Sequence, residues 1–255
     1  MLGVILAIPR IISKYFDQFE RIFSKKMQAV CICYVTGLLL EHKRFSMQQL
    51  AAKAPIHSYQ SYQYFLCEAK WDEKELNLQR IRDLNSLKQT KSNKTGVLIL
   101  DDTSNKKSKN CKKTDSVARQ HSNLDEGIVN CQVSVYTCYA DLKKAWPVDF
   151  KVYWPEKAYF KSKDPNLVFK SKIELGMDLI FEAIQLGINF KYVVYDSWYL
   201  SNDMMEFCED EVRVRFISDL DVDRWVQREG KWYKAGELVT LSADAEKYFC
   251  AKCAK

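Results

Sequence analysis

Glycine and proline are scarce in this sequence, at eight and five among 255 residues. So few of either leave little material for long unstructured linkers, which are built largely from them. Long apolar runs are missing as well. The opening Met1–Ile12 is broken by Pro9 and Arg10, and a membrane-spanning helix needs about 20 predominantly apolar residues. Met27–Leu40 has fourteen residues without a charge, flanked by Lys25, Lys26, Glu41 and Lys43. It falls short of spanning length and suits a buried helix. No cleavable signal peptide is recognisable, and no contact with a membrane is expected.

Nine cysteines are present, an odd number at irregular spacing, which fits reduced, mostly buried thiols in the cytoplasm. Cys250 and Cys253 have the spacing of half a zinc site, but no second Cys or His pair follows them. Hydrophobic residues make up 47% and charged residues 28%, the balance of a folded globular chain. Lysine and arginine total 39 against 33 acids, a net charge of +6. That surplus allows a polyanionic partner without requiring one.

Residues 1–88 read as a helical N-terminal domain. Phe16, Phe19, Ile22 and Phe23 recur at helical spacing, and Met27–Leu40 is its central helix. Ser46 caps a short helix that Pro55 ends, and Ser58–Leu66 and Asp72–Leu87 complete a small bundle. The short helix followed by Ser58-Tyr59-Gln60-Ser61 has the form of a helix-turn-helix with polar residues opening its second helix. A plain bundle with a polar outer face fits the same pattern.

The character changes near residue 88. Gly96–Leu100 is a short apolar run that stops at Asp101-Asp102-Thr103, as expected of a strand covered on both faces. Asn130–Tyr139 and Phe150–Trp154 read as two further strands. Lys170–Leu186 is an amphipathic helix with Ile173, Met177, Ile180, Phe181 and Ile184 on one face and Lys172, Glu174 and Glu182 facing away. Phe190–Tyr195 is a fourth strand, again stopping at an acid, Asp196. A helix over Asn202–Glu209 and a strand over Val212–Ile217 follow, then strand-like pieces at Trp225–Gln227 and Glu237–Leu241. This order predicts an α/β domain with a mixed sheet.

The acids at the two strand ends carry the chemistry. Asp196 lies 94 residues beyond Asp102, and dehydrating a carboxylate at the mouth of a buried strand is costly unless it is paired or binds a cation. Carboxylates converging from neighbouring strands offer hard oxygen donors suited to Mg²⁺ or Mn²⁺. Solvated loop starts would also place acids there. Between them, Lys106, Lys107, Lys109, Lys112, Lys113 and Arg119 put six bases in fourteen residues against one acid, Asp115. Such a run can hold a phosphate backbone by charge or simply be a solvated loop.

Four segments, in order, resemble a known family. They are Gly96-Val97-Leu98-Ile99-Leu100-Asp101-Asp102-Thr103, Ser116-Val117-Ala118-Arg119-Gln120, Asn130-Cys131-Gln132-Val133-Ser134-Val135 and Tyr195-Asp196-Ser197-Trp198-Tyr199. Together they are similar to insertion-sequence transposases with an Asp-Asp-Glu catalytic triad, in the group whose first strand ends in Asp-Asp-Thr. Phe45–Phe65 and Trp71-Asp72-Glu73 look like that family's helical N-terminal region, which is associated with DNA binding.

The resemblance implies a ribonuclease-H-like mixed sheet, preceded by the helical bundle, that hydrolyses and joins DNA at transposon ends with Mg²⁺ or Mn²⁺. It implies Asp102 and Asp196 as the first two catalytic, metal-binding acids, with Asp101 as a neighbouring ligand. It also implies a bacterial, nucleoid-associated protein bound to double-stranded DNA, self-associating or associating with intact transposase. The family's third acid, a Glu, stands on a helix beyond a β-rich insertion, and Asp219–Leu241 resembles the start of that insertion, placed at about 219–255. Glu206, Glu209 and Glu211 lie too near Asp196 to serve as the third acid. An incomplete ribonuclease-H-like domain over 89–255, weak in metal binding and catalytically inactive, is therefore expected. A regulator that competes with intact transposase for DNA, and a transposase completed by a second polypeptide, are the alternatives.

Overall fold

Helices build the first unit of the chain, Met1–Leu84, and a mixed sheet builds the second, Asn85–Lys255. The computed structural model describes residues 8–40, 46–111, 114–122, 125–237 and 252–253.

The helices are α1 (Arg10–Phe16), α2 (Lys25–Leu40), α3 (Met47–Lys53), α4 (Tyr59–Cys67) and α5 (Glu73–Ser86). Phe16, Phe19 and Phe23 form the core with Val30 and Cys33 of α2, Leu50 of α3, and Tyr62 and Phe65 of α4. The uncharged run of α2 is thus buried along most of its length, and Leu38 and Leu39 emerge at its end. Ser46 and Gln49 close a reciprocal capping box on α3, which satisfies two otherwise orphaned helix-end donors. The Tyr62 hydroxyl donates to the Ala54 carbonyl at 3.1 Å and ties α4 to the end of α3. Among the described residues, no helix is long and apolar enough to cross a membrane.

In the second unit, β1 (Val97–Lys106) is followed by β2 (Ala118–Ser122), β3 (Gly127–Ala140), β4 (Ala145–Tyr153), α6 (Glu156–Tyr159), α7 (Lys172–Gln185), β5 (Tyr192–Tyr195), α8 (Asn202–Glu206) and β6 (Arg215–Ser218). The sheet runs β2-β3-β1-β5-β6, with β4 also paired to β3. Its β1–β3, β2–β3 and β3–β4 pairs are antiparallel and its β1–β5 and β5–β6 pairs parallel. This is a mixed α/β fold with a helical region ahead of a mixed sheet, consistent with a ribonuclease-H-like arrangement. β7 (Trp225–Arg228), β8 (Lys231–Lys234) and β9 (Lys252–Cys253) form a separate small sheet in the order β8-β7-β9. Ala235–Glu237, read from the sequence as turn and strand, is helical, and 238–241 lie outside the described residues.

α7 starts at a second capping box, Ser171 with Glu174, and lays Leu175, Leu179, Ile180 and Ala183 into the core. At Gly176 a Cβ would stand 2.9 Å from the Leu100 side chain, so the missing side chain lets α7 lie close on β1.

Candidate functional site

Side chains alternate across β1, and the alternation sorts its acids. Leu98 and Leu100 are buried on one face, and Asp102 follows them on that face. Asp101 projects from the other. Each carboxylate has its own partners. Asp102 Oδ2 accepts from Lys172 Nζ at 2.9 Å and from the Tyr199 hydroxyl at 3.3 Å. Asp101 Oδ2 accepts from the hydroxyl of Tyr136 at 3.1 Å, its cross-strand partner on β3.

Asp196 is the first residue after β5. Because β1 and β5 pair in parallel, with Ile99 opposite Val194, two further residues bring Asp101 and Asp196 to the same level. The Asp196 Oδ1 accepts the backbone N–H groups of Trp198 at 3.2 Å and Tyr199 at 3.4 Å, which folds the chain back directly behind the acid. Burial raises the Asp196 carboxyl above the ordinary carboxylate range, and the charges of Asp101 and Asp102 push it further up, against the Tyr199 and Trp198 N–H groups. Burial and the neighbouring Asp102 likewise push up the Tyr199 hydroxyl, which therefore stays a proton donor. Asp196, just past the end of β5, thus feels the charges of Asp101 and Asp102, which stand midway along β1.

Among the described residues, no three Asp, Glu, His or Cys side chains converge closely enough to hold a metal ion together. Glu206 ends α8, and Glu209 and Glu211 lie in the π-helical turn Phe207–Glu211 that continues it.

The basic segment is dispersed. Lys106 closes β1 and pairs with Asp125 at 2.8 Å, so its charge is already matched. Lys107 is half-buried, Lys109 is exposed, and Arg119 is exposed on β2. Lys112 and Lys113 lie outside the described residues.

Two residues of α7 lie otherwise than helical periodicity placed them. Phe181, assigned to the apolar face, is exposed, and Lys172, assigned to the solvent face, turns inward. Its ammonium lies 4.9 Å from the centre of the Trp198 ring and 5.8 Å from that of Tyr153, as well as on Asp102. A helix N-terminus disfavours a cation, so this lysine gains from its placement only through those partners. Tyr199 had a signal in the sequence, as part of Asp-Ser-Trp-Tyr.

A family model described as DDE superfamily endonuclease matches residues 15–235. The chain belongs to this family. It is 27% identical over 224 residues to a probable transposase for insertion sequence element IS701 of Microchaete diplosiphon, covering 86% of this chain and 56% of that relative. Among solved structures it matches the Drosophila P element transposase strand transfer complex at 12% identity, over 91% of this chain and 56% of that one. The TM-score is 0.26, too low to support any transfer between the two. The chain thus spans a little over half the length of these relatives.

Proposed function

We propose that this DDE-family chain binds duplex DNA, that Asp102 and Asp196 hold Mg²⁺ or Mn²⁺ against a phosphodiester, with Asp101, on the other face of β1, as an alternative donor level with Asp196, and that residues 1–255 alone do not complete cleavage or strand transfer. The observation that supports this reading is the parallel pairing of β1 with β5, which puts Asp101 level with Asp196; burial raises the Asp196 carboxyl, and the charges of Asp101 and Asp102 add to that.

The donors fit the group. All are carboxylate oxygens, the preference of a hard divalent cation, and their mutual repulsion is what such a cation relieves. When bound, the ion polarises the phosphodiester and the attacking water or 3′-hydroxyl. The chain's own residues set the donors. Tyr199 and Lys172 fix the Asp102 carboxylate, Tyr136 fixes that of Asp101, and the Trp198 and Tyr199 N–H groups fix Asp196. Two-ion phosphoryl chemistry needs a further carboxylate, and none joins these acids among the described residues.

Residues 1–88 are the DNA-binding part in this reading, with α3 and α4 as its helix pair. The exposed Tyr59, Gln60, Gln63 and Tyr64 of α4 form the outward face. Lys107, Lys109 and Arg119 supply backbone contacts. The absence, among the described residues, of a third acid beside Asp102 and Asp196 also supports a second reading, a regulator that competes with intact transposase at transposon ends in the bacterial cytoplasm.

The test is a cleavage and strand-transfer assay on a labelled transposon-end duplex with Mg²⁺ or Mn²⁺, beside Asp102→Asn. Retarded but uncut duplex is expected from both proteins. Cutting by the unmodified chain that vanishes in the variant would overturn the inactivity of residues 1–255, and no retardation at any salt would overturn DNA binding.

A further inference from the structure

The sequence drew attention to the lysines that follow β1, yet a second set gathers ahead of it. Within the second unit, the segment leading into β1 and the β3–β4 turn enclose an open cleft of about 800 Å³, whose walls include Lys88, Lys91, Lys143, Lys144 and Asp141. Lys144 is held by Asp141 at 2.7 Å. Among the described residues, no carboxylate pairs with Lys88, Lys91 or Lys143, and all three are exposed. This contrasts with Lys106, whose charge Asp125 matches.

The cleft has a fixed floor. Trp146 Nε1 donates to the Thr90 carbonyl at 3.0 Å, and the Tyr139 hydroxyl accepts the Asn93 N–H at 3.0 Å and donates to Asp141 at 2.8 Å. Asn93 Nδ2 reaches the same carboxylate at 2.7 Å, and the Lys143 and Lys144 N–H groups fill its other oxygen. The oxygens of Asp141 are thus taken up by its own neighbours and its charge is matched by Lys144, which leaves the cleft with the positive charge of Lys88, Lys91 and Lys143. The lysines stand on backbone that these bonds hold in place, so little ordering remains to be done on binding.

We propose that this cleft binds the phosphate groups of duplex DNA, as a backbone contact separate from the strand-end acids. The inference rests on the reading that the chain is a DNA-binding protein. The chemistry of the walls selects phosphate over base, because lysines and short hydroxyl and amide side chains line them and Leu142 is the sole apolar side chain there. No ring among them offers a stacking platform of the kind that holds single-stranded bases. Thr95 stands in the turn just ahead of β1, and Asp101 is four residues beyond the strand's first residue, Val97, about 13 Å at ~3.3 Å per residue. That is about four phosphates along one strand of a duplex at ~3.4 Å each, within the reach of one duplex.

The experiment uses the 255-residue chain, a fluorescein-labelled 20-base-pair duplex and anisotropy titrations across a salt series. The variants are the triple Lys88→Ala, Lys91→Ala, Lys143→Ala, its Lys→Arg counterpart, and Lys107→Ala with Lys109→Ala. Circular dichroism checks that each is folded. The triple alanine variant is expected to flatten the slope of log affinity against log salt by about 0.9 for each phosphate that its lysines no longer neutralise, and the arginine version to keep it. If the triple alanine variant keeps the full slope while the Lys107 and Lys109 variant loses part of it, the cleft inference fails and DNA binding stands. If the unmodified chain binds no duplex, both fail. ATP is titrated by calorimetry as the free-phosphate arm. Binding of ATP that the triple alanine variant abolishes, with the duplex slope unchanged, would assign the cleft to a free phosphate ligand and overturn DNA as its occupant.

Discussion

Lys172, the first residue of α7, holds its ammonium 2.9 Å from the Asp102 carboxylate with Trp198 beside it. Both charged side chains are more than two-thirds buried, so water screens the pair less than it screens a surface pair. The lysine stands on Oδ2, one of the two oxygens with which Asp102 would meet a divalent cation. Binding such a cation at Asp102 therefore means displacing or sharing that contact.

Replacing it should expose this competition. Lys172→Met is expected to cost about 1.5–3 kcal/mol without metal, the scale of a hydrogen bond to a charged group, or roughly 3–12 °C in Tm. Added Mn²⁺ should raise Tm further in Lys172→Met than in the unmodified chain, while Lys172→Arg behaves like the latter. Thermal melts with and without Mn²⁺ check this, and an identical metal response in all three proteins would show that Lys172 does not compete.

Gly96 tests the packing that sets β1. A Cβ there would overlap the Tyr139 ring, whereas Gly127 has open space around it. Tyr139 is fully buried and cannot simply swing away. Gly96→Ala is expected to destabilise the fold by about 1–3 kcal/mol, the usual range for overpacking, and Gly127→Ala by much less. Urea unfolding of the two variants measures it.

Asp141 gives a pH test. The Lys144 ammonium, followed by the Lys143 N–H and the Tyr139 hydroxyl, holds its carboxyl well below the ordinary carboxylate range. A carboxyl depressed in the folded state stabilises the fold above its unfolded value of about 3.9, and that contribution is lost as pH falls through the folded value. Asp141→Asn should therefore melt below the unmodified chain at pH 7, with the gap closing as pH drops under about 4. Melting curves from pH 7 to pH 2 check this, and a gap that stays constant would contradict it.

What the sequence revealed and what it hid follow from where each element gets its stability. The apolar half of β1, the strand β5 and the acids that follow their hydrophobic runs were legible, because burial on both faces leaves an uninterrupted hydrophobic run. The polar half of β1 was not. Asp101–Lys106 continues as strand because β3 supplies its hydrogen bonds, pairing these residues with Tyr136–Cys131. β2, Ala-Arg-Gln-His-Ser, is likewise a strand only by lying along β3. Lys172 was misjudged since its partner, Asp102, stands 70 residues earlier, and helical periodicity places a side chain on a face without showing how far it reaches. The basic run could be counted in the sequence, but the neutralisation of Lys106 by Asp125 and the gathering of Lys88, Lys91 and Lys143 could not.

The central claim is that Asp102 and Asp196, on the neighbouring strands β1 and β5, are a cation site, and calorimetric titration of Mn²⁺ tests it most directly. The measurement compares the unmodified 255-residue chain with Asp102→Asn and Asp196→Asn, each shown to be folded. Weak, saturable binding by the unmodified chain, abolished in both variants, is predicted, since ligand charge and number set affinity for a hard cation. Heats that are the same in all three proteins would contradict the account.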